Sequence, residues 1–544
     1  MLAMSPFPWK KCRVPSPKWH ALRTLAAWLS LALVATGCAS LPDGVERSPS
    51  GAIAIAESLA TPLGRIAAEA SPDPELSGFR ILPGGANALS ARIELAQRAQ
   101  RSLDVQYYHI QNDETGRYLL RMLRDAGQRG VRVRLLVDDL YAPQAELLLL
   151  GLAAAPGVEI RLFNPFATRQ ESLATRFLHA LPDLARVSRR MHNKLFIADG
   201  AMAVAGGRNL GNQYFMRNTA ENFLDIDLFA TGAIVPVLSG LFDTYWNSDQ
   251  VMPLQALATS PHSPEELQYL FEQSTGPGPT PPPGPPPPND ALGHGPLANE
   301  LEAGKLGLVW APAQAYADAP DRAIGKTAAY GMVPLLDVDS VHYNFIEQIR
   351  RAREEVVVLT PYLIPGRTGL ESIRESREHG VKFSVITNSL AASDVPAVHT
   401  GYRRYRHELL RMGVELYELS PVRVTRSLRL GLFGQTSASL HAKAAVIDRR
   451  TVFIGSLNFD PRSEMLNTEL GLIVYSPALA VQALKLMNLV KQQGAYRLRL
   501  EEDGHGIEWL GDAGEAPLTS EPDAGLWRRF LLELLSLLVP ESHL

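Results

Sequence analysis

The chain has 544 residues, of which 46% are hydrophobic and 20% are charged, and its formal net charge at pH 7 is −4. These proportions are typical of a globular protein and exclude a disordered chain or a protein with many membrane spans. The acidic balance argues against a nucleic-acid-binding protein, whose affinity depends largely on neutralising phosphates.

The N-terminal segment has the layout of an export signal. Basic residues between Lys10 and Arg23 precede the apolar run "LAAWLSLALVATG", which leads to Cys38. The ending "VATGC" resembles a bacterial lipobox, in which the cysteine becomes the lipidated first residue of the mature protein. We therefore expect a signal peptide over residues 1–37, a lipid on Cys38 and a tether over residues 38–77. An uncleaved membrane anchor is the alternative.

Lipidation would fix the location of the mature protein. Cleavage before Cys38 removes five basic and no acidic residues, so the formal net charge would become −9. Only the lipidated cysteine would remain, so no disulfide is expected. We expect a lipid-anchored protein of the bacterial cell envelope that faces the periplasm. The outer membrane is favoured, because Ala39 rather than an aspartate follows Cys38.

Residues 78–273 are predicted to form a first α/β half. Leu89, Ile93 and Ala96 recur at helical spacing and lead into the strand pattern "SLDVQYYHI". A second helix is expected to end at Gly130, directly before the apolar strand "VRVRLLVDD".

Residues 274–296 contain the run "STGPGPTPPPGPPPPND". Proline lacks the backbone donor that helices and sheets require, so an extended or disordered segment is expected. A spacer or a tolerated loop insertion is favoured over a proline-rich ligand.

Residues 297–499 repeat the pattern of the first half. Val341, Phe345 and Ile349 recur at helical spacing before "EEVVVLTPYLIP", and Gly380 precedes the strand "VKFSVITNS". The segments "GVEIRLFNP" and "GVELYELSP" also correspond. We therefore predict an α/β fold of two duplicated sandwich halves, which form a pseudo-dimer with one active site at their interface.

Residues 500–544 form a predicted tail with an amphipathic helix. In "GLWRRFLLELLSLLVP" the leucines, Trp527 and Phe530 share one helical face, with Arg528 and Arg529 opposite. The segment is too short to span a bilayer. An interfacial helix on the lipid surface and a packed core helix both remain open.

One motif occurs in both halves at the same spacing. His192, Lys194 and Asp199 stand as His-x-Lys-x4-Asp, and His441, Lys443 and Asp448 repeat this spacing. Residues two apart in a strand face the same side, so each histidine and lysine should project together. Six intervening residues separate each aspartate from a small-residue turn that ends in asparagine, with the members Gly206, Gly207, Asn209, Gly455, Ser456 and Asn458.

This motif resembles the signature of the phospholipase D superfamily, and both halves match it throughout. The resemblance covers roughly residues 80–500, and segments such as "GGRNLGNQYF", "TPYLIP" and "NFDPRSEMLNTELGL" are similar to the cardiolipin synthase C-type branch in particular. It implies that one histidine attacks a phosphodiester to give a phosphohistidine, while the other protonates the departing alcohol. His192 is favoured as the nucleophile and His441 as the acid and base, but the symmetry leaves the reverse assignment open.

The resemblance also implies roles for the other motif residues. The lysines and the asparagines Asn209 and Asn458 would hold the negative charge of the phosphate. The small residues of the turns and Glu469 would line the substrate site. No metal or other cofactor is expected, since His-x-Lys is not metal-ligand spacing.

The carboxylates of the pattern have two interpretations. Asp199, Asp448 and Glu469 are interpreted as groups that orient or keep charged a neighbouring histidine or lysine, with a structural cap or ion pair as the alternative. Asp225 and Asp227 in "FLDIDLF" hold the corresponding place in the first half. A structural role and an active role are both open for them.

The predicted function is a phosphatidyltransferase that acts on glycerophospholipids, with cardiolipin as the expected product. Phosphatidylglycerol and phosphatidylethanolamine are the expected substrates of a membrane-associated enzyme, no nucleic-acid partner is expected, and the need for a protein partner is open. The alternatives are a phospholipase D that yields phosphatidic acid, a phosphodiesterase or nuclease of the same superfamily, and a non-catalytic envelope lipoprotein.

Overall fold

A computed structural model describes residues 41–42, 44–169, 172–324, 339–427, 437–530 and 534. The expected signal peptide and Cys38 lie outside the described residues. Within these ranges no helix combines the length and the apolar character needed to cross a bilayer.

The first half is built on a mixed sheet of nine strands. In chain order these are β1 (Ser77–Leu82), β2 (Ser102–Tyr107), β3 (Arg132–Asp138), β4 (Val158–Phe163), β5 (Lys194–Ala198), β6 (Met202–Gly206), β8 (Asp227–Gly232), β9 (Val251–Pro253) and β10 (Val309–Ala311). Their order across the sheet is β10-β1-β8-β6-β5-β2-β3-β4-β9. Strands β2, β3 and β4 are parallel, and the other pairings are antiparallel.

The second half repeats this sheet. Its strands are β11 (Ala313–Ala317), β12 (Glu355–Leu359), β13 (Lys382–Asn388), β14 (Glu415–Leu419), β16 (Ala444–Ile447), β17 (Thr451–Gly455), β18 (Leu470–Tyr475), β19 (Ala495–Leu500) and β20 (Ile507–Leu510). The order β11-β18-β17-β16-β12-β13-β14-β19-β20 matches β1-β8-β6-β5-β2-β3-β4-β9 strand for strand, with β20 added. Two further strands, β7 (Glu221–Leu224) and β15 (Ser437–Leu440), pair with each other between the halves.

Helices cover both sheets. They are α1 (Ile55–Leu59), α2 (Pro62–Ala70), α3 (Gly85–Arg98), α4 (Glu114–Gln128), α5 (Glu146–Ala153), α6 (Leu173–His179), α7 (Leu184–Val187), α8 (Ile234–Trp246), α9 (Leu254–Leu257), α10 (Pro264–Thr275), α11 (Leu297–Ala303), α12 (Val341–Arg351), α13 (Gly366–Glu378), α14 (Pro396–Arg411), α15 (Pro421–Arg426), α16 (Pro461–Met465) and α17 (Pro477–Gln493). The helical pattern of the sequence is confirmed in α3, where Leu89, Ile93 and Ala96 are buried, and in α12, where Val341, Phe345 and Ile349 are buried.

The duplicated α/β architecture is therefore confirmed, and the two halves share one core. A single apolar cluster contains Leu195 and Leu228 of the first sheet together with Leu359 and Leu472 of the second. Burying this surface from water is the main force that holds the halves together.

Several predicted boundaries are wrong at their edges. Within the tether assigned to residues 38–77, residues 48–50 contact the first half, where Arg134 and Arg161 donate to the carbonyls of Ser50 and Ser48. The second half begins later than residue 297, because β10 joins the first sheet beside β1. The tail assigned to residues 500–544 begins later as well, since β20 pairs with β19. The proline-rich segment 274–296 lies against the first half, where Arg121 donates to the carbonyl of Thr280 at 3.1 Å.

The motif aspartates close the turns that follow β5 and β16. Asp199 and Asp448 adopt left-handed backbone conformations, with φ of 52° and 50°, which aspartate tolerates better than most residues. The Asp199 carboxylate accepts the backbone N–H groups of Gln100, Arg101 and Ser102 at 2.7–3.1 Å. The Asp448 carboxylate accepts those of residues 353–355 in the same way.

The prediction that these two aspartates orient a histidine or lysine is therefore wrong, and the alternative of a structural cap is what the structure shows. Lys194 begins β5 and Asp199 follows its last residue, so the carboxylate and the motif lysine lie at opposite ends of the strand. The aspartate fastens its own hairpin to the start of β2.

We expect Asp199→Ala to lower the free energy of unfolding by about 2–4 kcal/mol, because backbone donors at a strand start lose a charged acceptor. Asp199→Asn keeps one acceptor oxygen and should lower the free energy of unfolding by less. Urea unfolding of the purified variants measures both. Asp249→Ala, which alters an exposed carboxylate, is the control and should stay within about 0.5 kcal/mol of the parent. An equal loss in Asp199→Ala and the control would contradict the capping role.

Candidate active site

Two pieces of parallel strand pairing between the halves position the two histidines. In the first, β7 runs beside β15, and the backbone N–H of His441 donates to the carbonyl of Leu224 at 2.8 Å. In the second, Met191 pairs with Thr468, and the backbone N–H of His192 donates to the Thr468 carbonyl at 2.8 Å. Each histidine is thus fixed by backbone from the opposite half.

The residue that follows each of these carbonyls is a carboxylate that contacts the histidine ring. Asp225 follows Leu224, and its Oδ2 lies 2.6 Å from Nδ1 of His441. Glu469 follows Thr468, and its Oε2 lies 2.9 Å from Nδ1 of His192. Each half therefore supplies one histidine and the carboxylate for the other half's histidine. A carboxylate at Nδ1 keeps the proton on that nitrogen and leaves Nε2 for chemistry.

The small-residue turns lie behind these carboxylates. A Cβ on Gly207 would come within 2.1 Å of Oδ1 of Asp225, so only glycine leaves room for that side chain. Ser456 stands at the equivalent position and donates its hydroxyl to Glu469, which also accepts from Ser463 at 2.8 Å. Gly206 and Gly455 lie at the ends of β6 and β17, where a Cβ would meet the neighbouring backbone at 2.6 and 2.4 Å.

The motif lysines are buried beside the histidines. Lys194 is 0% exposed and donates from Nζ to the carbonyl of His192 at 2.6 Å. Lys443 is 2% exposed, donates to the carbonyl of His441, and places Nζ 3.1 Å from Nδ1 of that ring. The two ammonium groups supply fixed positive charge at the site, where they could hold an anionic phosphodiester.

Aromatic side chains form the walls around each imidazole. The ring of Tyr108 meets His192 edge-on at 5.1 Å between centroids. Tyr214 and Phe223 contact His441 at 5.2 and 5.1 Å. Asn209 and Asn458 are also buried, at 2% and 6% exposure. These groups limit the water around the histidines.

Burial sets the protonation of the basic groups. It lowers the pKa of His192 well below its usual value, and the charges of Lys194 and Lys443 act in the same direction. Burial and Lys443 lower the pKa of His441 to about 4, although Asp225 opposes them. Burial also lowers the pKa of Lys443 to about 8 and that of Lys194 well below its usual value. A bound phosphodiester would reverse part of these shifts, because its negative charge favours every cationic form.

The two carboxylates differ in charge state. Burial raises the pKa of Glu469 to about 7, although Lys194 and the hydroxyls of Ser456 and Ser463 oppose it. Burial acts on Asp225 in the same direction, but His441, Lys443 and Arg208 outweigh it, and the pKa of Asp225 falls below its usual range. Asp225 therefore stays ionised near neutral pH, whereas Glu469 titrates there.

The structure brings most of the predicted site residues together. Both histidines, both lysines and Glu469 meet at the interface, whereas Asp199 and Asp448 do not. Asp225 proves to be the counterpart of Glu469, a role that sequence reasoning left open. Asp227, two residues on, is structural and forms buried ion pairs with Arg92 and Arg208.

The register of the two sheets shows that Asp225 and Glu469 hold equivalent positions. Asp227 pairs with Gly206, and Gly471 pairs with Gly455. Asp225 and Glu469 therefore each stand two residues before the partner of a motif glycine. Tyr108 and Phe223 carried no comparable signal, because aromatic residues in apolar strands are common in any core.

Comparison with known proteins places this arrangement in a family. The family described as "Cardiolipin synthase, PLD-like domain" matches residues 93–245 and 345–490, one segment in each half. Cardiolipin synthase C of Escherichia coli (strain K12) is 38% identical over 483 residues, which cover 87% of this chain and 97% of that protein. Cardiolipin synthase 2 of Staphylococcus epidermidis (strain ATCC 12228) is 24% identical over 76% of this chain and 70% of its own length.

Among solved structures, the phosphatidylserine synthase of Haemophilus influenzae Rd KW20 has the same fold. The two chains superpose with a TM-score of 0.55 at 16% sequence identity, covering 89% of this chain and 100% of the other. The family match in both halves and the extent of the sequence similarity lead to one conclusion: this chain belongs to the cardiolipin synthase family of phospholipase D-like proteins.

Proposed function

We propose that this chain is a phosphatidyltransferase that makes cardiolipin through a phosphohistidine intermediate. The observation that carries the proposal is the reciprocal arrangement of two histidine–carboxylate pairs beside two buried lysines. A double displacement at phosphorus requires one nucleophile and one acid–base group, and the site supplies one imidazole for each. The similarity to Escherichia coli cardiolipin synthase C supports the choice of product.

In the first step, Nε2 of His192 attacks the phosphorus of a donor glycerophospholipid. The bond from phosphorus to the headgroup oxygen breaks. His441, which carries a proton on both ring nitrogens once the phosphodiester anion is bound, gives the Nε2 proton to that departing alcohol. Glu469 stabilises the positive charge that His192 acquires, and Asp225 holds the His441 ring in the orientation that aims Nε2 at the leaving group. Lys194 and Lys443 compensate the charge on the non-bridging oxygens.

In the second step, the free glycerol hydroxyl of phosphatidylglycerol attacks the phosphorus. His441 accepts its proton, the bond from phosphorus to Nε2 of His192 breaks, and cardiolipin leaves with both histidines restored. Water in place of the glycerol hydroxyl would give phosphatidic acid. The aromatic walls around both histidines favour the lipid alcohol, because they restrict water at the phosphoenzyme.

Mass spectrometry of lipids tests this proposal directly. The full chain is incubated with a chelator on vesicles of phosphatidylglycerol, alone or with phosphatidylethanolamine. We expect cardiolipin, with free glycerol or ethanolamine identifying the donor. His192→Ala and His441→Ala should each lower its formation by about 10²–10⁴-fold, whereas His262→Ala, which alters an exposed histidine, should not.

The products and the trapped enzyme separate the alternatives. Phosphatidic acid as the main product would make the chain a phospholipase D, and no lipid product with any donor would refute the proposal. A phosphohistidine trapped in alkaline detergent should be absent from His192→Ala and present in His441→Ala. The opposite pattern would make His441 the nucleophile.

The pH dependence of kcat/KM should show the titration of the Glu469 carboxyl. Because burial raises its pKa to about 7, this carboxyl gains a proton as the pH falls through that value and then no longer stabilises a cationic His192. We expect kcat/KM to fall below about pH 7, by about ten-fold per pH unit. In Glu469→Gln we expect this decrease of kcat/KM at acidic pH to disappear and the maximal kcat/KM to be lower than that of the parent.

Asp225→Asn is the matched comparison for that profile. The pKa of Asp225 lies below its usual range, so this variant should lose activity at every pH and keep the acidic limb. A limb that persists unchanged in Glu469→Gln would assign the titration to another group.

The export pattern supports a further proposal, that Cys38 carries a lipid that anchors the protein in the cell envelope, facing the periplasm. This proposal rests on the sequence of residues 10–39. Intact-mass measurement of the chain from bacterial membranes should show a diacylated N-terminal Cys38. Recovery of an uncleaved chain of full mass would refute it.

A further inference from the structure

His109 and Tyr362 hold equivalent positions in the two halves. In each case the next residue along the chain pairs with the residue that follows a motif asparagine. The two bridges are Ile110 with Leu210 and Leu363 with Phe459. Neither side chain takes part in the proposed steps. The duplication therefore sets an imidazole beside one motif turn and a phenol beside the other.

Tyr362 is bonded to a carboxylate, whereas His109 is not. The Tyr362 hydroxyl lies 2.9 Å from both oxygens of Asp394. The ring of His109 packs against that of Tyr141 at 4.5 Å between centroids, and its buried Nε2 has no hydrogen-bond partner in the described residues. Within the part of the chain that the structure describes, only the second half thus has a bonded carboxylate at this position. We name Tyr362 and Asp394 the tyrosine–carboxylate pair.

A buried amide, that of Asn388, places Tyr362 beside His441. The Oδ1 of Asn388 accepts the backbone N–H of Leu440 at 2.8 Å, and its Nδ2 donates to the Leu440 carbonyl at 2.9 Å. The same Nδ2 lies 3.5 Å from the carbonyl of Pro361. These two partners directly precede His441 and Tyr362 in the chain. The tyrosine–carboxylate pair is therefore held on the side of the site where the proposed acid and base stands.

The charge of Asp394 reaches the groups around His441. Burial raises the pKa of Tyr214, whose ring contacts His441, and the charges of Asp394 and Asp225 act in the same direction. Burial lowers the pKa of Lys443, and Asp394 is one of the carboxylates that oppose this change. Asp394 is therefore close enough to act on groups that contact the reacting atoms.

The Asp394 carboxylate has capacity for a further partner. The residue is exposed, and in the described ranges its side chain accepts hydrogen bonds only from Tyr362. A carboxylate offers about four lone-pair sites, so one hydroxyl leaves most of them free. A hydrogen-bond donor of a bound molecule therefore has an acceptor beside the active site.

The loop that carries Asp394 is supported by the C-terminal tail. Residues 526–530 are helical, and Arg528 donates from this helix to the carbonyls of Ala391 and Ser393. These contacts fix the backbone directly before Asp394. A packed core helix, one of the two sequence alternatives for the tail, does not fit the exposed side chains of Leu526, Trp527 and Phe530.

We propose that the tyrosine–carboxylate pair is the subsite for the glycerol headgroup of the acceptor phosphatidylglycerol. This inference rests on the proposed function and deepens it, because it states what holds the attacking alcohol. The terminal hydroxyl of the headgroup gives its proton to His441 while its oxygen bonds to phosphorus, and the bond from phosphorus to Nε2 of His192 breaks. The neighbouring hydroxyl of the same glycerol donates to the Asp394 carboxylate throughout.

A glycerol headgroup suits this pair better than water or an ammonium group. Water has no second hydroxyl that reaches Asp394 while its oxygen attacks phosphorus. An ammonium group would be repelled by Lys443, which lies within electrostatic reach of the same carboxylate. The pair thus favours the alcohol whose transfer product is cardiolipin.

A donor with an artificial headgroup isolates the acceptor step. On vesicles, phosphatidyl-p-nitrophenol lets the full chain form the phosphoenzyme without glycerol, and the absorbance of released p-nitrophenol follows turnover. Phosphatidylglycerol in the same vesicles yields cardiolipin, whereas water yields phosphatidic acid. We expect Asp394→Ala to lower the ratio of cardiolipin to phosphatidic acid by about ten-fold, because a hydrogen bond to a charged group is lost. Release of p-nitrophenol without phosphatidylglycerol should stay at the parent level.

Two milder variants and one control grade this effect. Asp394→Asn keeps an acceptor oxygen, and Tyr362→Phe keeps the carboxylate while removing its bonded hydroxyl, so each should lower the ratio by less than Asp394→Ala. Asp249→Ala alters an exposed carboxylate of the first half and should leave the ratio unchanged. A merely structural role of Asp394 would lower both products together without changing their ratio.

The outcomes separate the subsite from the proposed function. An unchanged ratio in Asp394→Ala, or an equal decrease in Asp249→Ala, would overturn the subsite. Loss of ethanolamine release from phosphatidylethanolamine in both Asp394→Ala and Asp394→Asn, with the ratio unchanged, would also overturn it and assign the carboxylate to an ammonium group. A parent that forms no cardiolipin would refute the transferase itself, whereas cardiolipin in the parent with an unchanged ratio in the variants would refute the subsite alone.

Discussion

The active site depends on a reciprocal exchange of carboxylates between the halves. His192 is oriented by Glu469 of the second half, and His441 by Asp225 of the first. Burial and a neighbouring lysine both disfavour the cationic form of an imidazole, and a carboxylate in contact with the ring stabilises that form. Because each carboxylate comes from the opposite half, neither half can stabilise its own histidine as a cation. The strand pairings at Leu224 and Thr468 hold the carboxylates of the next residues within hydrogen-bonding distance of the histidine rings. The shared apolar core keeps those pairings in register.

The same exchange explains how four basic groups and two carboxylates can be buried at one place. Two lysines and two histidines face Asp225 and Glu469, which lie at 2% and 0% exposure. The basic groups exceed the carboxylates, and burial lowers the pKa values of all four of them. This excess of basic groups over carboxylates favours the binding of an anionic group such as a phosphodiester.

Much of this organisation could be predicted from the sequence, because duplication leaves the same spacing twice. The repeated helices, the buried strands and both His-x-Lys pairs follow from local patterns that do not need tertiary information. The roles of the aspartates do not follow from such patterns. Asp199 and Asp225 are both buried carboxylates close to the motif, and only the pairing of strands shows that one caps a hairpin while the other contacts a histidine.

The boundaries of the two halves could not be predicted from the sequence either, because they too depend on strand pairing between distant residues. Strand β10 has three residues, too few for a recognisable period, and its place beside β1 is set by a partner more than 200 residues away. The termini of the halves contact their own sheets through arginine and backbone, as at Arg134 and Ser50. Contacts of this kind leave no signature in composition.

The connection between the halves has a consequence for assembly. Strand β10 ends at Ala311 in the first sheet and β11 begins at Ala313 in the second, so Pro312 alone joins them. Similar halves could in principle exchange between two molecules, as in domain-swapped dimers. A one-residue connection holds each half next to its own covalent neighbour at a very high effective concentration. The proline-rich segment lies before this joint, so its length can change during evolution without loosening the pairing of the halves.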